Sequence, residues 1–266
     1  MLPRARKCLA CMLLIGCGAA GIAASAGAGP GILDDAVLRR LIVPAVIMEK
    51  DRRTMPGQRL LAQLGATGLV RCGAAIGTAQ LTLKNDVITT AAHVLIGSDG
   101  RPRAGCVFEA IHGHDRVPID PTSIRSGSRV PLSAPATRDW AVARLIHPVR
   151  GATPYGIAAP GTKPGGVVML AGGNREAAAW GAEQCAARNV MAVREGIREF
   201  AIDCNAGPGS SGAALLGAGR NVVAIYVGFR SVDPGRAQVF STTHYNFAIT
   251  VEGPFRAALL AAAARR

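Results

Sequence analysis

Three side chains in this sequence carry the groups needed to open an acyl bond. Ser211 lies in residues 203–216, Asp-Cys-Asn-Ala-Gly-Pro-Gly-Ser-Ser-Gly-Ala-Ala-Leu-Leu, between a strand-like end and an apolar run. His93 follows Val87-Ile88-Thr89-Thr90-Ala91-Ala92, a β-branched run closed by two small residues. Asp139 heads residues 139–145, Asp-Trp-Ala-Val-Ala-Arg-Leu, whose alternation reads as a strand. A serine hydroxyl is a weak nucleophile until an imidazole takes its proton. That imidazole in turn needs a carboxylate to fix its tautomer and balance its charge. Gly207, Gly209 and Gly212 allow turns that side chains forbid, and leave N–H groups free to meet a developing oxyanion.

Other chemistries compete for the same residues. Gly207, Gly209 and Gly212 also satisfy the dinucleotide fingerprint G-x-G-x-x-G, with Asp233 at about the ribose-binding distance. That fingerprint needs a helix directly after it, and only residues 213–216 separate it from Gly217-Ala218-Gly219. A plain Gly/Ser turn is the default for the loop alone, and the His93 and Asp139 stretches argue against it. His112-Gly113-His114-Asp115 would put two imidazoles on one strand face, which could suit zinc, but no further ligand cluster is close in sequence. It reads as a polar loop or strand end. Asp115 and Asp120 rival Asp139, but neither is followed at once by a strand.

Taken together, Thr-Ala-Ala-His (90–93), Asp-Trp-Ala-Val (139–142) and Gly-Ser-Ser-Gly-Ala (209–213) resemble the trypsin-like, or chymotrypsin-fold, serine peptidases. They are most similar to the bacterial branch that includes the glutamyl endopeptidases, over roughly residues 50–252. The resemblance implies an all-β fold of two antiparallel six-stranded β-barrels with a C-terminal helix. It makes Ser211 the nucleophile, because the family's Gly-x-Ser-Gly aligns with residues 209–212. His93 becomes the general base, Asp139 the orienting carboxylate, and the N–H groups of Gly209 and Ser211 the oxyanion hole. Asn205 resembles the base of the substrate pocket, and Tyr226, Val227, Gly228 and Phe229 its wall. An uncharged Asn205 argues against selection of Lys or Arg. No histidine stands near Tyr226, which argues against Glu, although a tyrosine hydroxyl could donate one hydrogen bond. Phe229 would narrow the pocket, so a small or uncharged apolar residue before the cut is expected. Two further departures stand out. Val94 replaces the cysteine that follows the histidine in many relatives, and Ser210 replaces the aspartate that pairs with a newly cut N-terminus in trypsin-type zymogens.

The elements that must carry these residues can be read along the chain. Its 266 residues are 49% hydrophobic but only 4% aromatic, enough for one large β domain or two small ones built on small aliphatics. Residues 1–26 read as an export signal, with Arg4, Arg6 and Lys7 before an apolar stretch and Ala24-Ser25-Ala26 as a cleavage site. Leu14-Ile15-Gly16-Cys17 also resembles a lipobox, which would end the signal before Cys17 and anchor the protein by lipid. The expected destination is secreted or periplasmic in either case, with membrane attachment only through Cys17. The formal charge is +13, and removing the three leader cations leaves 27 basic against 17 acidic residues, or +10. The arginines are scattered without interleaved aromatics, so no nucleic-acid partner is expected. Residues 27–58 read as a lead-in, with helical spacing at 33–42 and a Lys-Asp-Arg-Arg run at 50–53 that resembles the family's entry to the first barrel.

Strand-like runs follow at 69–72, 76–83, 87–90, 107–111 and 140–145, then at 167–171, 189–193, 200–204, 213–216, 221–227 and 245–251. A Gly/Pro-rich linker at 148–164 divides them. The domains expected are therefore 59–158 with His93 and Asp139, 159–252 with Ser211, and a C-terminal helix within 253–266 opened by Pro254. Cys72, Cys106, Cys185 and Cys204 remain after the leader, an even count suited to an oxidising compartment. Count alone leaves three pairings open. The two-barrel architecture that the resemblance implies pairs Cys72 with Cys106 and Cys185 with Cys204. The function expected is an exported, monomeric serine endopeptidase acting on protein or peptide, with no cofactor and no metal. A silent domain that binds a partner or an anionic surface through its basic face is the alternative, and hydrolysis of a small ester or amide a third reading.

Overall fold

The computed structural model describes residues 48–54, 57–111, 115–162, 167–173, 180–234 and 236–265. The proposed leader, the helical spacing at 33–42 and the His112/His114 pair lie outside them. Helix α1 (Gln58–Gln63) leads into six strands: β1 (Thr67–Cys72), β2 (Ala75–Leu81), β3 (Val87–Thr90), β4 (Val107–Ala110), β5 (Arg116–Ser126) and β6 (Ala141–Leu145). They close into an antiparallel barrel in the order β1-β2-β3-β6-β5-β4. Six more follow: β7 (Val167–Gly173), β8 (Trp180–Arg194), β9 (Ile197–Ile202), β10 (Ala214–Leu216), β11 (Val222–Ser231) and β12 (His244–Thr250). Read from β7, the second barrel closes as β7-β8-β9-β12-β11-β10, the same topology repeated. The one-turn helix α2 (Ala92–Leu95) interrupts the first barrel after β3, and α3 (Gly253–Ala264) ends the chain. The all-β, two-barrel expectation therefore holds.

Closure removes the unpaired sheet edges that open β-structure would expose. With few aromatics, the core is filled by Val70, Leu81, Ile88 and Val117 in the first barrel and Ile197, Val222, Ile225 and Ile249 in the second. A smaller cluster in the second barrel gathers Phe200, Ile202, Ala213, Leu215 and Tyr226 around Cys185 and Cys204. The cystines are Cys72–Cys106 and Cys185–Cys204, the pairing that the two-barrel architecture implied.

Two elements depart from the sequence reading. Strand β5 forms in a stretch that carries Pro118 and Pro121 and where no strand-like run was expected. The ladder between β5 and β6 slips between Asp120 and Arg125, and Pro121 sits in that irregularity, where its missing N–H breaks no pairing. Helix α1 also forms at the start of the 59–158 stretch, ahead of the first expected strand-like run. Gly57 precedes it as the N-cap, and Leu60 packs against the core.

Candidate active site

The pairing register brings the first two candidate residues to one rim. Thr90, the last residue of β3, lies opposite Ala141, the first of β6. His93 stands just beyond the first strand's end and Asp139 just before the second strand's start, so antiparallel pairing alone puts them side by side. Asp139 accepts twice from His93: from the backbone N–H at 2.9 Å on Oδ1, and at the ring Nδ1 at 2.7 Å on Oδ2. The Asp139 side chain is 5% exposed and that of His93 21%. This arrangement holds the imidazole by its Nδ1 edge and leaves Nε2 as its outer nitrogen. Trp140, immediately after the carboxylate, is buried and stacks on Phe255 of α3 with ring centroids 5.1 Å apart.

Ser211 belongs to the second barrel but is tied to the first. The Thr78 N–H donates to the Ser211 carbonyl at 2.8 Å, and the Thr78 hydroxyl to the Gly209 carbonyl at 2.7 Å. The Thr90 hydroxyl donates to the Thr78 carbonyl at 2.7 Å, which links this seam to β3 and so to the His93 turn. On the other side, Gly212 N–H donates to the Tyr226 carbonyl and Tyr226 N–H to the Ala213 carbonyl, each at 2.8 Å. Small residues are needed here. A Cβ on Gly77 would meet Val94 and lie 3.0 Å from the Ser211 carbonyl, and one on Gly212 would lie 2.8 Å from Ala91 N.

The turn before Ser211 has a definite shape. Ser210 N–H donates to the Gly207 carbonyl at 3.0 Å across Pro208 and Gly209, and Gly209 has φ +92°. Proline second and a left-handed glycine third are the requirements of a type II turn. The buried Ser210 hydroxyl accepts from Gly207 N–H at 3.1 Å, so that side chain is occupied in closing the turn. The N–H groups of Gly209 and Ser211 have no protein acceptor among the described residues. Ser211 is half-buried, and its hydroxyl likewise has no hydrogen-bond partner among the described residues.

The expected pocket residues are placed differently from one another. Asn205 is 1% exposed, and its side chain is taken up by the lead-in: Oδ1 accepts from Met48 N–H at 2.8 Å, and Nδ2 donates to the Lys50 carbonyl at 3.1 Å. Tyr226 is buried and donates its hydroxyl to Asn246 Oδ1 at 3.2 Å; burial pushes its pKa well above the usual phenol range. Val227 is buried, while Gly228 and Phe229 are half-buried on β11. The sequence did not point to Thr78, to the seam role of the Thr90 hydroxyl, or to the ion pairs that Arg52 makes with Glu183 and Asp203. No linear signal marks these pairings, because most of the partners lie more than a hundred positions away.

The model of the trypsin-like peptidase domain family matches residues 77–225, more than half of the chain. No curated protein sequence matches significantly. Among solved structures, a Glu endopeptidase superposes with TM-score 0.66 at 13% identity, covering 83% of this chain and 100% of its own. A thermostable serine protease from an extremophilic microorganism gives TM-score 0.57 at 16% identity, over 77% of this chain and 100% of the other. The protease Anisep from Arthrobacter nicotinovorans gives 0.56 at 12% identity, over 76% and 97%. At these identities the structures speak to the fold.

Proposed function

Because the chain belongs to the trypsin-like peptidase family, we propose that it is an exported serine endopeptidase that cuts through an acyl-enzyme on Ser211. The observation that carries this reading is the double hold of Asp139 on His93, at the backbone N–H and at Nδ1. In the proposed cycle, His93 Nε2 takes the proton of the Ser211 hydroxyl as its oxygen attacks the scissile carbonyl. Asp139 keeps the remaining ring proton on Nδ1 and stabilises the imidazolium. The tetrahedral oxygen is held by the N–H groups of Gly209 and Ser211. His93 then returns its proton to the leaving amine, and water, activated in the same way, releases the acyl group.

Asn205 and Tyr226 spend their polar side-chain atoms inside the protein, which supports a small or uncharged residue before the cut. The two cystines suit an oxidising compartment, and with the leader they support secretion or a periplasmic location, with Cys17 lipidation as the anchored form. A monomer without cofactor or metal completes the proposal.

The test is labelling of the purified, oxidised protein with a fluorophosphonate probe, beside Ser211→Ala. Labelling of the native protein and none of the variant is expected. A well-folded native protein that stays unlabelled at neutral pH overturns this reading and favours a silent binding domain. Chromogenic esters tested beside a peptide library then separate a small-ester hydrolase from an endopeptidase.

A further inference from the structure

The stretch that delivers the nucleophile turn is held by the lead-in segment as well as by its own barrel. Glu183 on β8 has a side chain only 1% exposed. Its Oε2 accepts from Asn205 N–H at 2.8 Å, and its Oε1 from Arg52 Nε at 2.9 Å and Asn205 Nδ2 at 3.3 Å. Arg52 Nη2 reaches past it to the Asp203 carbonyl at 2.8 Å. Met48 N–H and the Lys50 carbonyl take the two ends of the Asn205 side-chain amide. Arg53, paired with Asp51, lays its guanidinium against Gly207, the first residue of the turn. A buried carboxylate needs a cation beside it, and among the described residues Arg52 alone stands within ion-pair distance of Glu183.

We propose that Arg52 is a positioning residue. With Glu183 and Asn205 it clamps residues 203–207, and so sets the type II turn that aims the Gly209 and Ser211 N–H groups. The inference rests on the serine-peptidase reading above and adds a device to it. Trypsin-type zymogens order this region with a new N-terminal amine on an aspartate, a position held here by Ser210. In this chain a side-chain guanidinium and the peptide N–H of Met48 do the holding. Both exist with residues before Met48 still attached, so the clamp forms without a cut at the barrel's entry.

The test uses the full chain and measures fluorophosphonate inactivation, separated into probe binding and the rate constant of the covalent step. Arg52→Gln leaves Glu183 buried and unbalanced. The covalent rate constant is expected to fall at least tenfold, with probe binding and near-ultraviolet circular dichroism unchanged. Arg52→Gln combined with Glu183→Gln is expected to recover most of the rate, because the introduced amide still accepts from Asn205 N–H and no charge is stranded. A purely structural role would instead lower thermal stability without moving the rate constant well below the melting point. Folded Arg52→Gln that labels at the native rate overturns the proposal, as does a double variant no faster than the single one. Should Arg52→Gln fail to fold, Asn205→Ala carries the test: several-fold slower labelling is expected, and the native rate overturns the clamp. A native protein that never labels sinks the serine-peptidase reading itself, and this inference with it.

Discussion

At Gly212 the two halves of the site touch. A Cβ there would overlap the Thr90 hydroxyl and the Thr78 carbonyl, and the residue has φ +88°, where L side chains are strained. Nothing around it can yield cheaply, since Thr78 and Thr90 are fully buried in strands of the first barrel. Gly212→Ala is therefore expected to cost about 1–3 kcal/mol in backbone strain. It should also push Ser211 away from His93 and slow labelling by about a hundredfold, the penalty of a displacement near 1 Å. Labelling kinetics beside a thermal melt check this, and a variant that labels at the native rate would show that the seam does not position the serine. The need for glycine was legible in the sequence, but its cause was not. The atoms that a Cβ would strike belong to residues more than a hundred positions away.

At the scale of elements, Glu252 shows how a helix end can lock several pieces together. It immediately precedes α3, and its carboxylate accepts from Gly161 N–H at 2.6 Å, from Thr250 Oγ1 at 2.6 Å, and from Arg198 Nε at 2.8 Å. The linker, β12 and β9 are thereby joined. Burial works to raise its pKa, but the bonds from Arg198, Thr250 and Gly161 outweigh it and hold the group below the ordinary 4.5. A carboxylate with a depressed folded pKa contributes stability that is fully present above its unfolded pKa. That contribution is lost as pH falls through the folded value. Glu252→Gln is thus expected to lower stability by about 2 kcal/mol at pH 7, with the gap to the native protein closing below about pH 4.5. Thermal melts of both proteins from pH 7 to pH 3 measure it, and a gap constant across that range would rule out the ionic role. Pro254 announced this helix in the sequence, while β5 went unread. A proline that sits in a bulge obeys the same local rules as one that ends a strand, and only the neighbouring strand distinguishes them.

For the whole molecule, α3 is the brace. It follows the last strand of the second barrel yet packs across β3 and β6 of the first. Its Phe255 is fully buried and stacks on Trp140, the residue after Asp139. Arg138, on the other side of Asp139, is ion-paired with Glu195 in the β8–β9 turn. Asp139 is therefore flanked by two ties to segments of the second half of the chain. Phe255→Ala is expected to cost about 3–5 kcal/mol, as an emptied aromatic site in a packed core does, and to lower the melting temperature of both barrels in one transition. Calorimetry checks it. Two separate transitions would mean that the barrels are independent and that the brace does not couple them.

The amino-acid order by itself marked the barrel strands other than β5 and the three residues proposed for the chemistry. These are local matters: alternation of apolar residues, glycines where the chain must turn, and short motifs in which small residues flank a reactive one. The seam that holds Ser211 against the first barrel, the Arg52 clamp and the burial of Asn205 and Tyr226 emerge only when the chain has folded. Each depends on atoms brought together from far along the chain. Hydrogen bonds and ion pairs of that kind are set by which surfaces pack, and a linear pattern carries no record of that.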